Sequence, residues 1–83
     1  MKAAGFNELT FVDKAWLVSE FGKLLISIEY YEYRIFLFSL NSHFIEMHQN
    51  IATRQIEKIC VASYNDLDKY LSRSMIGSLK STD

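Results

Sequence analysis

Apolar residues along this chain recur first at helical spacing, then at every second position, then at helical spacing again. The opening segment, 7–23, carries two apolar arcs on a helical wheel. Phe11, Val12, Ala15, Trp16 and Val18 form one, Leu17, Phe21, Leu24 and Leu25 the other, and Asp13 and Glu20 share a narrow polar stripe. Thr10 followed by Asp13 resembles a capping box with aspartate in the usual glutamate position. A surface helix needs one apolar face, so two arcs predict a helix that touches more than its own sheet.

From 25 onward the period is two, predicting strands over 25–30, 33–40, 43–49 and 55–62. Tyr31-Glu32 and Asn41-Ser42 suit two-residue hairpin turns, asparagine because it tolerates positive φ. In the registers these turns impose, Glu29 falls opposite Arg34, Phe38 opposite Ile45 and Leu40 opposite His43. A five-residue loop over 50–54 then places Glu46 opposite Lys58 and Ile45 opposite Ile59. A closing helix is predicted over 65–76, capped by Ser63 or Asn65. Leu67, Tyr70, Leu71 and Met75 form its inner stripe, Lys69 and Arg73 lie outside, and Gly77 is the C′ residue. The tail, 78–83, is expected to fray.

The expectation is therefore one α+β domain over 1–83, a four-stranded antiparallel β-meander flanked by N-terminal and C-terminal helices (α-β-β-β-β-α). One sheet face carries Phe36, Phe38, Leu40, Ile45, Met47, Ile59 and Val61, and both helices are expected to cover it. The other carries Ile26, Ile28, Tyr30, Tyr33, Ile35, Leu37, Phe44 and Cys60 beside Glu46, His48 and Lys58. That face is too apolar for open solvent, and a second subunit is its expected cover.

Composition strengthens the oligomer expectation. A chain of 83 residues that is 49% hydrophobic and 14% aromatic has little interior in which to hide such side chains. Nine basic and ten acidic residues give a net charge of −1, without the basic run of a nucleic-acid binder. The stretch "YRIFLFSL" is too short to cross a membrane, and "MKAAGFNELTF" lacks the apolar core of a secretory signal. A cytoplasmic protein is expected.

The run "RIFLFSLNSHFIEM", followed by "IEKI" and a closing "LDKYL", resembles a group of small uncharacterised bacterial proteins over 11–76. In that group a helix precedes a strand ending in a Leu-Asn-Gly-like hairpin, then an aromatic-rich strand and a terminal helix. This chain has Ser42 where that turn carries glycine. The resemblance implies the fold and brings no activity or site residue.

Candidate chemistry is thin. His43 and His48 have opposite strand parity and lie about 17 Å apart along an extended chain. They cannot share an ion. Glu46 and His48 share a strand face and could supply two metal ligands, but the expected neighbours of Glu46 are Leu37 and Lys58, and a lysine repels a cation. Cys60 is the sole cysteine and reads as a buried, inert thiol, with His48 the one base within reach across the sheet. No nucleophile elbow, phosphate loop or paired catalytic carboxylate occurs. No catalytic residue, cofactor or metal is therefore expected, and the chain is not expected to be an enzyme. The leading expectation is a non-catalytic protein-interaction domain acting as a homodimer, with another protein as an alternative partner. Trp16, Tyr30, Tyr33, Ile35, Phe44 and His48 form its expected interaction surface. The rival expectation is a small-ligand or sensing domain with a pocket between subunits.

Overall fold

In a computed structural model that describes residues 3–71, the chain is an α+β fold in which one antiparallel sheet, ordered β1-β2-β3-β4, lies between helices from the two chain ends. The elements are α1 (Ala3–Asn7), α2 (Phe11–Phe21), β1 (Lys23–Tyr30), β2 (Tyr33–Leu40), β3 (His43–Asn50), β4 (Ile56–Val61) and α3 (Tyr64–Tyr70). The fold class expected from the sequence is the one observed. Arg73, Met75, Gly77 and the tail lie outside the described residues.

The helix expected over 7–23 is α2, confined to Phe11–Phe21, and a further helix, α1, precedes it. Thr10 is extended (φ −67°, ψ 162°) and its side chain accepts a hydrogen bond from the Asp13 backbone N–H at 3.1 Å, so a new helix starts there. At the far end Gly22 donates its N–H to the Val18 carbonyl at 2.9 Å and then turns extended. A Cβ at Gly22 would lie 2.6 Å from that carbonyl oxygen, so only glycine permits the helix to leave so abruptly into β1. Leu24 and Leu25 therefore belong to a strand, and the second helical arc is cut short.

Both hairpin registers are those the sequence implied. Glu29 pairs Arg34 with a 2.8 Å ion pair, Phe38 pairs Ile45, and Leu40 pairs His43. Tyr31 and Asn41, the first residues of the two turns, hold φ of 56° and 55°, the positive value such turns require there. A bulge at Leu25 shifts β1 so that Leu24 pairs Phe38 while Ile26 pairs Leu37.

The β3–β4 register differs from the expected one by two residues. Asn50 ends its strand by a side-chain turn, its Oδ1 accepting from the Ala52 and Thr53 backbone N–H groups, and its own N–H reaches the Gln55 carbonyl. This shortens the loop by one residue. A bulge at Glu57 then adds one to β4. Ile45 therefore pairs Val61, Glu46 pairs Cys60, and His48 pairs Lys58, so Glu46 does not meet Lys58.

Each face of the sheet has its own core. On one, Phe6 of α1 and Val18 of α2 pack with Leu40, Ile45 and Ile59. On the other, Tyr70 and Leu67 of α3 pack with Ile28, Ile35 and Leu37. The expectation that both helices share one face is thus corrected: α3 lies on the face that was assigned to a second subunit. The Ser63 hydroxyl accepts from the Asp66 N–H while the Asp66 carboxylate accepts from the Ser63 N–H, a complete capping box that starts α3 where β4 delivers the chain. Leu71, expected on the inner stripe, is half exposed. Among the described residues no helix is long and apolar enough to cross a membrane.

Candidate functional site

Glu46 stands at the middle of β3, flanked by Leu37 on β2 and Cys60 on β4, on the face that α3 covers. Only 2% of it is exposed, and it is the buried charged residue among those described. A carboxylate so placed needs partners for both oxygens. One oxygen, Oε1, takes His48 Nε2 at 3.1 Å. The other, Oε2, accepts from the Tyr70 hydroxyl at 2.7 Å and from the Lys69 ammonium.

Strand parity supplies His48, two residues along β3 on the same face. The last turn of α3 supplies Lys69 and Tyr70 side by side. Lys69 also donates to the Asp66 carbonyl at 2.7 Å and lies 4.9 Å from the centre of the Tyr70 ring. Cys60 completes the group from β4. One ligand-type atom from each of Glu46, His48 and Cys60 falls within 4.8 Å of the other two.

The charge states follow from these contacts. Burial pushes the Glu46 carboxyl upward and is the largest single influence on it. Hydrogen bonds from His48, Lys69 and Tyr70, with the Lys69 charge, outweigh that and hold it down to about 2. Hydrogen bonding to Cys60 and then to Glu46 raises His48 to about 9 against the opposing effect of burial. Burial first, then Glu46, pushes the Tyr70 hydroxyl up, keeping it a donor. At neutral pH an imidazolium and an ammonium thus share one carboxylate.

A stability profile follows. The depressed Glu46 contributes stability that is present above its ordinary value of 4.5 and lost as pH falls toward about 2. The raised His48 contributes stability that is present below 6.5 and lost as pH rises through about 9. The metal-free protein is expected to be most stable between those limits, losing on the order of 2 kcal/mol on the alkaline side. Urea melts at stepped pH would read this. A His48→Gln variant should lose the alkaline decline, and an equal decline in that variant would refute the assignment.

Above Glu46 the sheet and α3 enclose an open cleft of about 1040 Å³ within one chain. Tyr30, Tyr31 and Tyr33 form one wall, and Asp66, Asp68 and Lys69 of α3 form part of the opposite one. The Tyr33 ring meets His48 edge-on at 5.8 Å, and its hydroxyl donates to Glu57, which rests on the bulge, at 3.0 Å. That bond, before the Glu57 charge, raises the Tyr33 hydroxyl above its ordinary value.

The expected interaction surface is divided by the fold. Tyr30, Tyr33 and His48 meet at the cleft, while Ile35 is buried beneath α3 and offers no free surface. Phe44 lies at the other end of β3 beside Ala62, Ser63 and Leu67. Trp16 projects from α2, whose Val18 packs into the opposite core, and its ring meets Phe21 edge-on at 5.7 Å. Lys69 and Tyr70 are site residues that the helical stripe misassigned or left as core. A buried acid on an apolar face was the signal that a cation must reach it.

Comparison of the chain with family models, curated proteins and solved structures finds no match. The molecule is defined by its own geometry, an α-β4-α fold with a charged cluster at the floor of a tyrosine-walled cleft.

Proposed function

We propose that the protein is a small non-catalytic interaction domain that pairs with a second copy of itself through the outer surface of α2 and the start of β1. The observation that carries this reading is the apolar surface left there. Val12 is 72% exposed, Trp16 57%, Phe21 64% and Leu24 53%. Val12 and Trp16 stand one turn apart, Trp16 and Phe21 are in ring contact, and Leu24 and Leu25 follow Phe21 after Gly22 and Lys23. Scattered apolar residues are ordinary on a surface, but a run of large ones with an aromatic pair is the composition of an interface centre.

Light scattering at micromolar concentration should give a dimer for the wild type and a monomer, with unchanged circular dichroism, for Trp16→Glu. Trp16 is the sole tryptophan, so its emission should shift to the blue as concentration rises through the dimerisation range. A wild-type chain that remains monomeric would defeat this reading.

A second reading is favoured by the cleft. Its volume of about 1040 Å³ and its mixture of tyrosine faces with a few fixed charges suit a small amphipathic ligand. Such a site would lie between the sheet and α3 of one chain rather than between subunits. Monomeric behaviour would move the weight to it.

A further inference from the structure

We infer that Glu46, His48 and Cys60 are the ligands of a divalent transition-metal site of the zinc type, open to the cleft. The inference is independent of self-association. It rests on the cross-strand pairing that sets Cys60 directly beside Glu46, with His48 two residues along the same strand face.

The geometry is close to what such an ion needs. Tetrahedral zinc with bonds of about 2.0–2.3 Å holds its ligand atoms about 3.3–3.8 Å apart. The His48 Nε2 to Glu46 Oε1 edge is 3.1 Å, and no edge of the three-atom group exceeds 4.8 Å. Closing the widest edge therefore takes about 1 Å, a small adjustment of the cysteine and histidine side chains about their rotatable bonds. Sulfur, imidazole nitrogen and a single carboxylate oxygen are the donors of zinc or cobalt, the ion displacing the protons of His48 and Cys60 to solvent as it binds, whereas magnesium and calcium require oxygen.

The surroundings fit as well. All three donors come from paired strands rather than loops, which fixes their spacing. Tyr70 and Lys69 bind Oε2, the oxygen turned away from His48, leaving Oε1 as the metal ligand and holding the carboxylate in orientation. Lys69 is the contact that argues against a cation. Its ammonium balances one of the two negative charges that a carboxylate and a thiolate bring to the ion. All three ligands line the cleft, so the fourth position faces it and is available to water or to a bound molecule.

The test uses the full chain, stripped with chelator and titrated with Co²⁺. Because Cys60 is the sole cysteine, any thiolate-to-cobalt charge-transfer band belongs to it. The expected result is that band together with tetrahedral visible bands, saturating at one equivalent and abolished by added Zn²⁺. Cys60→Ser, checked for folding by circular dichroism, should lose the charge-transfer band, and His48→Gln should weaken Co²⁺ binding at least about tenfold. Absence of cobalt bands in the wild type, or a charge-transfer band that survives Cys60→Ser, overturns the proposal.

Discussion

Glu46→Ala should destabilise the protein by about 3–5 kcal/mol, the cost of breaking a buried ion pair by removing one partner. An 83-residue domain has on the order of 4–12 kcal/mol of stability in total, so the variant should sit near unfolding at room temperature. The loss does not come from missing attraction alone. Without the carboxylate, His48 and Lys69 are two cations held beneath α3, and the Tyr70 hydroxyl keeps its burial but loses its acceptor. Urea denaturation would measure it. A double variant, Glu46→Leu with Lys69→Met, removes one charge of each sign and should recover part of the loss. If the single variant cost under about 1 kcal/mol, the ordinary level for an exposed pair, the carboxylate would not be organising this face.

Phe6→Ala should cost about 3–5 kcal/mol, the range for truncating a fully buried aromatic side chain. Phe6 is 0% exposed although it belongs to a helix of five residues close to the chain start. So short a helix has no stability of its own and is held by what it buries. Its phenyl ring fills the space between α2 and the Leu40, Ile45 and Ile59 face. The variant should therefore lose both the core contact and α1 itself, seen as a lower urea midpoint and a small drop in helical ellipticity. A change within about 0.5 kcal/mol, the level of a surface substitution, would mean that α1 is not docked.

Phe6 also shows where the sequence stopped being legible. It precedes the cap at Thr10, so a reading that starts a helix near Asn7 treats it as part of a tail. The hairpins were readable because two local facts agreed. Glu29 and Arg34 fall opposite one another, and Asn41 accepts the positive φ its turn needs. The β3–β4 pairing offered an equally attractive opposite-charge match, Glu46 with Lys58, and that match was wrong. Its true register depends on two one-residue events, the side-chain turn at Asn50 and the bulge at Glu57. Neither leaves a periodic trace. Because together they shift the pairing by two, the residues from Lys58 to Val61 kept their faces while Glu46 changed neighbours, and Ile56, ahead of the bulge, moved to the Ile45 face.

That slip hid the site. With Lys58 beside Glu46, two potential ligands faced a repelling charge and no third donor. With Cys60 there, the same strand face holds three. Lys69 was placed outside by the stripe rule because the rule counts hydrophobicity and not reach. A lysine beside the inner stripe can bend its long chain under the helix when a buried acid waits there.

The docking of α1 on β4 also bears on the order in which the chain assembles. Asn7 accepts the Val61 backbone N–H through its side chain at 3.2 Å, joining positions near opposite ends of the described chain. The three strand-to-strand turns are local and close with little loss of chain entropy, whereas this contact spans all of them. During synthesis the residues of α1, made before the strands, are therefore among the last to find their place. Until then the ring of Phe6 and the outer rim of β4 are both open to whatever lies nearby, and that edge of the sheet is covered only when α1 comes back to it.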